Sequence, residues 1–149
     1  MALMFMNLGA EWLLQYLLNG TKPTGAANMN LNIALFSNSH TPTDTDTYST
    51  YTAVTGGGYS GAVTLTQGSW TVSFPASNIY QAAYAQRSWV FTGTIGGSGI
   101  VYGYFIYDNA TSANLWWAEL LGAPFTPYNN GDTLYVTPTI QCSHGTPSS

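Results

Sequence analysis

Two carboxylates and two tryptophans stand close together late in this chain: Asp108, Trp116, Trp117 and Glu119. Glycoside hydrolysis needs a pair of carboxyls at a defined separation. An aromatic ring beside a carboxylate can also hold the face of a sugar. This is the best enzymatic or lectin-like constellation in the sequence. The plainer reading is stronger: Glu119 as a paired or edge residue, and the Trp pair straddling one strand into two interfaces.

Other chemistries lack parts. His40 and His144 are the only histidines, and neither sits near a Gly-x-Ser-x-Gly elbow or a phosphate loop ending in Lys-Ser or Lys-Thr, because neither motif occurs. The glycines at 56–58 and 96–99 read as turn chemistry. Asp44-Thr45-Asp46-Thr47 has oxygens that suit calcium, but the glycine and terminal glutamate of an EF-hand loop are missing. An Asx-rich surface loop fits it better. Asn19-Gly20-Thr21 and Asn109-Ala110-Thr111 match the glycosylation acceptor pattern and read as turns, since no basic secretory leader precedes them. Cys142 is alone, so it forms no intrachain disulfide and reads as a small semi-buried residue near the end of the last strand. No catalytic residue, metal ligand or cofactor is assigned.

Composition points elsewhere. Two cations and six carboxylates make the chain 5% charged, against about 25% in an ordinary soluble domain. Thr, Ser, Asn, Gln and Gly take over the surface. Such a surface suits a protein packed against copies of itself or a partner, where a buried charge must be desolvated. With a net charge of −4 and only Lys22 and Arg87 positive, the chain lacks the cations needed to neutralise phosphates or grip an anionic membrane. Neither nucleic acid nor membrane is an expected partner.

The elements change along the chain. Residues 1–20 are apolar and helix-like, ending in Asn19-Gly20 with Pro23 soon after. Asn7, Glu11 and Gln15 fall on one helical face and interrupt any membrane span, while Leu3, Met6, Leu13, Leu14, Leu17 and Leu18 form a wide apolar arc. That helix either crosses the core or docks into a neighbour. Beyond it the period becomes alternating. Strands are expected near 29–37, 59–65, 70–74, 88–92, 100–107, 115–121 and 133–141, with 79–84 ambiguous between strand and helical turn. The 100–107 and 115–121 segments should form an antiparallel hairpin. Residues 38–58 make a loop too long to be a simple connection. The predicted fold is all-β, an antiparallel sandwich of jelly-roll or immunoglobulin-like type with about seven strands and an N-terminal α-helix. Residues 1–22 form the helical arm, 23–142 the sandwich and 143–149 a flexible tail.

The order of segments resembles small virion structural proteins of tailed bacteriophages. The likeness lies in the apolar N-terminal segment, LNIALFSNSHTPTDTDTYSTYT leading to GGGY, SWVFTGTI, IVYGYFIYDNATSANLWWAEL and NNGDTLYVTPTI. The resemblance implies a non-enzymatic capsid decoration (cement) protein or small tail component, assembled into the virion in the host cytoplasm. Its partners would be the major capsid protein or other virion proteins, and it would form a homo-oligomer, a trimer foremost. Assembly contacts are expected at Phe5, Trp12, Leu13 and Leu17 of the arm, and at Tyr48 and Tyr51 of a long loop reaching toward a neighbouring subunit. The alternative is a tail or fibre-tip adhesin binding host polysaccharide through Trp116, Trp117, Asp108 and Glu119.

Overall fold

Residue alternation from Leu31 onward is realised as a chain of antiparallel strands. The computed structural model describes residues 30–43, 45–76, 79–108, 113 and 115–143. The strands are β1 (Leu31–Phe36), β2 (Val63–Leu65), β3 (Thr71–Ala76), β4 (Ile79–Ala83), β5 (Arg87–Val90), β6 (Val101–Asp108), β7 (Leu115–Phe125), β8 (Thr133–Val136) and β9 (Thr139–Ser143). They form three sheets, in the orders β2-β1-β6-β7, β3-β4-β9 and β5-β8.

The chain divides into two compact units. The larger takes Asn30–Leu65 and Ser88–Val136 and holds the four-stranded sheet. Its central strand β1 is buried along its whole length, as a strand flanked by two others and covered on both faces must be. On one face lie Leu31, Ile33 and Leu35, opposite Leu65 of β2 and Ile106 of β6. The other face carries Ala34, Phe36 and Phe105. The expected β6–β7 hairpin is present, with Tyr104 opposite Glu119 and Ile106 opposite Trp117. In the β5–β8 ribbon Trp89 is buried, its indole N–H donating to the Gly61 carbonyl at 3.0 Å. Phe91, just beyond β5, packs within 5.7 Å of the Phe125 ring.

The smaller unit contains Thr66–Arg87 and β9. β4 pairs with β3 on one side and β9 on the other. Trp70 packs edge-on against Tyr84, whose hydroxyl accepts the Thr66 amide at 3.1 Å. Arg87 lays its guanidinium 4.6 Å from the centre of the Tyr84 ring.

The fold class is corrected in two respects. Among the described residues, nine strands in three sheets replace about seven in a two-sheet sandwich. The ambiguous 79–84 segment is a strand, and the single strand expected over 133–141 splits, because Thr137 and Pro138 stand outside both strands that flank them. Proline has no N–H to continue a ladder. There is also no α-helix among the described residues, only a 3-10 turn at Tyr48–Thr50. The helix expected over 1–20, and with it Phe5, Trp12, Leu13 and Leu17, lies outside the described residues. The strand expected over 70–74 runs on through Pro75 to Ala76, and its register against β4 shifts between Ser73 and Ala76.

Candidate functional site

The long Thr-rich excursion does not leave the sheet. It turns back, with the Ser37 amide bonded to the Thr52 carbonyl and the Val54 amide to the Leu35 carbonyl, both at 2.9 Å. The Asn38 side chain ties the two arms together, donating to the Thr50 carbonyl at 3.0 Å and accepting the Thr52 amide at 2.8 Å. β2 begins only opposite Ile33, so the Leu35 amide would lack a partner in it. The Tyr59 hydroxyl accepts it at 3.1 Å.

At the tip of the excursion Asp46 acts as a clasp. Its carboxylate accepts the Tyr51 hydroxyl at 2.6 Å, the Thr43 amide at 2.9 Å, the Thr43 hydroxyl at 2.8 Å and the His40 ring Nε2 at 2.8 Å. Donors favour the ionised form, so the carboxyl is held far below its ordinary value, by Tyr51 first and then by the Thr43 amide. Burial and the facing carboxylate push the Tyr51 hydroxyl upward. Among the described residues no group of three or more His, Cys, Asp or Glu is placed to hold a metal.

A depressed folded-state value means that the clasp stabilises the fold fully above the ordinary carboxylate value of 3.8 and loses this contribution as pH falls below it. Asp132 is shifted the same way, by the Asn129 and Tyr128 amides. The melting temperature should therefore hold steady between neutrality and about pH 5, then drop below about pH 4. Asp46→Asn should flatten that acid limb, leaving the part owed to Asp132. Superimposable limbs in the two proteins would show that the clasp does not titrate with folding.

The clasp positions Tyr48, and Tyr48 walls a cleft. The cleft is open, about 410 Å³ in volume, with Ala34 and Phe105 of the sheet lining it and Tyr48, Tyr59 and Tyr107 around them. Tyr48 meets the Tyr107 ring edge-on at 4.9 Å and the Phe105 ring at 5.7 Å. Gly56, Gly61 and Ala62 leave its rim without large side chains. No lining residue carries a formal charge. Burial raises the Tyr107 and Tyr59 hydroxyls, so both stay protonated near neutrality.

The expected assembly anchors separate here. Tyr51 is spent within its own chain, 6% exposed, stacked on Phe105 at 5.4 Å and tilted against Phe36 at 4.9 Å. Its aromatic ring covers a sheet face that would otherwise be open. Tyr48 is 38% exposed and remains accessible.

The expected glycan-binding residues are each held by a neighbour. The Trp116 indole N–H donates to Asp108 at 3.2 Å, and the Tyr104 hydroxyl donates to Glu119. Trp116 and Trp117 lie 5.6 Å apart with their planes inclined by 32°. Glu119 stands level with Tyr104, four residues along β6 from Asp108. That is about 13 Å of strand rise, beyond the roughly 5–9.5 Å between glycosidase carboxyls. The structure does not bring them into one site.

Reading the sequence missed Tyr59 and Tyr107 as cleft residues. The signal was present in the abundance of tyrosines, but their convergence depends on the excursion folding back. No family model, curated protein or solved structure matches this chain.

Proposed function

We propose that this chain is a non-enzymatic structural subunit of a repetitive assembly, a bacteriophage virion protein that decorates the capsid and bridges its subunits. One observation carries the reading. Charge is scarce, and among the described residues each charged side chain touches a neighbour in its own chain. Asp46 is clasped by Tyr51, Thr43 and His40; Asp132 accepts the Tyr128 and Asn129 amides, both at 2.8 Å. Asp108 is held by Trp116, Glu119 by Tyr104, and Arg87 lies on Tyr84. These are all five charged side chains among the described residues.

Part of the described surface is apolar. Val90 is 57% and Tyr135 60% exposed, from the strands of the β5–β8 ribbon, and Tyr128 before β8 is 72% exposed. By strand alternation Val90 and Tyr135 point away from the inward Trp89 and Leu134. Joining such surfaces strips no ions of water, and at about 25 cal/mol per Å² of apolar area even a modest contact, repeated over a lattice, holds through avidity.

Sedimentation velocity of the full-length chain tests this. It should self-associate, and about 1 M salt, which cuts the screening length to roughly 3 Å, should leave the association intact. Tyr135→Asp or Val90→Asp should weaken it. A chain that stays monomeric at all concentrations, or an assembly released by salt alone, contradicts the proposal. A map of intact particles with this density on the shell would place it; density confined to the tail would refute the capsid role.

A further inference from the structure

The exposed Val90 and Tyr135 of the β5–β8 ribbon do not line the aromatic cleft of the larger unit. The geometry points to a binding site for a neutral carbohydrate, one or two pyranose rings of an uncharged glycan, with Tyr48 and Tyr107, inclined at 63° to each other, as its aromatic walls.

Four features converge on that ligand class. A pyranose presents an apolar C–H face and a rim of hydroxyls, and tyrosine matches both, with a flat ring and a polar tip. Tyr48, Tyr59 and Tyr107 all border the same space. A volume of about 410 Å³ lies within the usual range for small-molecule sites. Gly56 and Gly61 let a ligand approach the backbone, whose N–H and C=O groups suit sugar hydroxyls. Finally, the wall is set in advance: the Asp46 clasp and the Thr47 amide bonded to the Thr50 hydroxyl at 3.1 Å fix the turn that carries Tyr48. Preorganisation of this kind lowers the cost of binding.

Charge selects among sugars. The cleft offers no cation to a sialic or uronic acid, and the chain is itself acidic. Nucleotides also stack on aromatic rings, but their phosphates need Lys or Arg, and none lines the cleft. A proline-rich peptide could use the same rings, and it stands as the rival arm of the test.

The test uses the full-length protein against an array of neutral oligosaccharides (maltohexaose, cellohexaose, mannan and galactan fragments), acidic ones (polysialic acid, hyaluronate) and a proline decapeptide. Hits are then titrated by calorimetry. At least one neutral oligosaccharide should bind, the acidic ones should not, and Tyr48→Ala should weaken binding by about tenfold. Ala62→Trp, at an exposed rim position, should block the cleft without disturbing the core and decides the matter if Tyr48→Ala misfolds. The inference is overturned by no neutral binding up to about 10 mM, by preference for the acidic glycans or the peptide, or by wild-type affinity in the Ala62→Trp protein.

Discussion

Gly103→Ala is expected to cost about 3 kcal/mol or more, at the upper end of overpacking effects. Gly103 sits in β6 opposite Phe36 of β1, beside the point where the β6–β7 register shifts. A methyl group there would fall on the Glu119 carbonyl oxygen and 2.5 Å from the Phe36 ring. Phe36 is fully buried and cannot swing into solvent, and the carbonyl belongs to the neighbouring strand. Either β7 moves away from β6 or the core ring leaves its place. Urea unfolding should show a lower midpoint, and adding Phe36→Leu should recover part of the loss by removing the ring but not the backbone clash. A Gly103→Ala protein within about 0.5 kcal/mol of wild type would mean that the two strands are not packed this closely.

Tyr51→Ala should be comparably damaging, at about 3–5 kcal/mol. The ring is the lid of the Phe36–Phe105 cluster, and its hydroxyl is the shortest of the Asp46 contacts given above. Tyr51→Phe separates these roles. It keeps the ring stacked on Phe105, so it should lose much less stability, while Asp46 loses its largest stabilising donor. The acid limb of the melting curve should then begin at the same pH, which the unfolded carboxyl sets, but level off at a higher pH and span a smaller range. Equal losses from the two substitutions would show that the hydroxyl, and not the ring, holds the excursion down.

Much of the sheet was legible because alternation is a local signal. β1, β5, β6 and the β6–β7 hairpin follow from Leu31/Ile33/Leu35, Trp89/Phe91 and the two turns around them. Pro138 was legible as a residue but was read as a continuation, and it divides two strands that belong to different sheets. The Thr-rich segment misled for a physical reason. Its polar composition predicts exposure, whereas its place is decided by long-range bonds from Asn38 to residues 50 and 52, and by one tyrosine meeting one phenylalanine far along the chain. Single-sequence patterns carry no such pairing. The same limit hid the cleft, whose walls come from β1, the excursion and β6. The separation of Asp108 from Glu119 depended on register, which alternation alone leaves open.

The placement of Arg87 on Tyr84 has a consequence for proteolysis. Trypsin cuts after lysine and arginine, and this chain has only Lys22 and Arg87. Lys22 precedes a proline, which trypsin does not accept, so one susceptible bond remains, Arg87–Ser88. That bond lies inside β5, with its arginine side chain engaged by an aromatic ring, and falls on the boundary between the two compact units. A protease needs an extended, released segment to bind. The folded chain should therefore resist trypsin, and a single cut should appear only when β5 peels from β8. Tryptic cleavage thus gives a one-site clock for the opening of that ribbon, readable on a gel without any label.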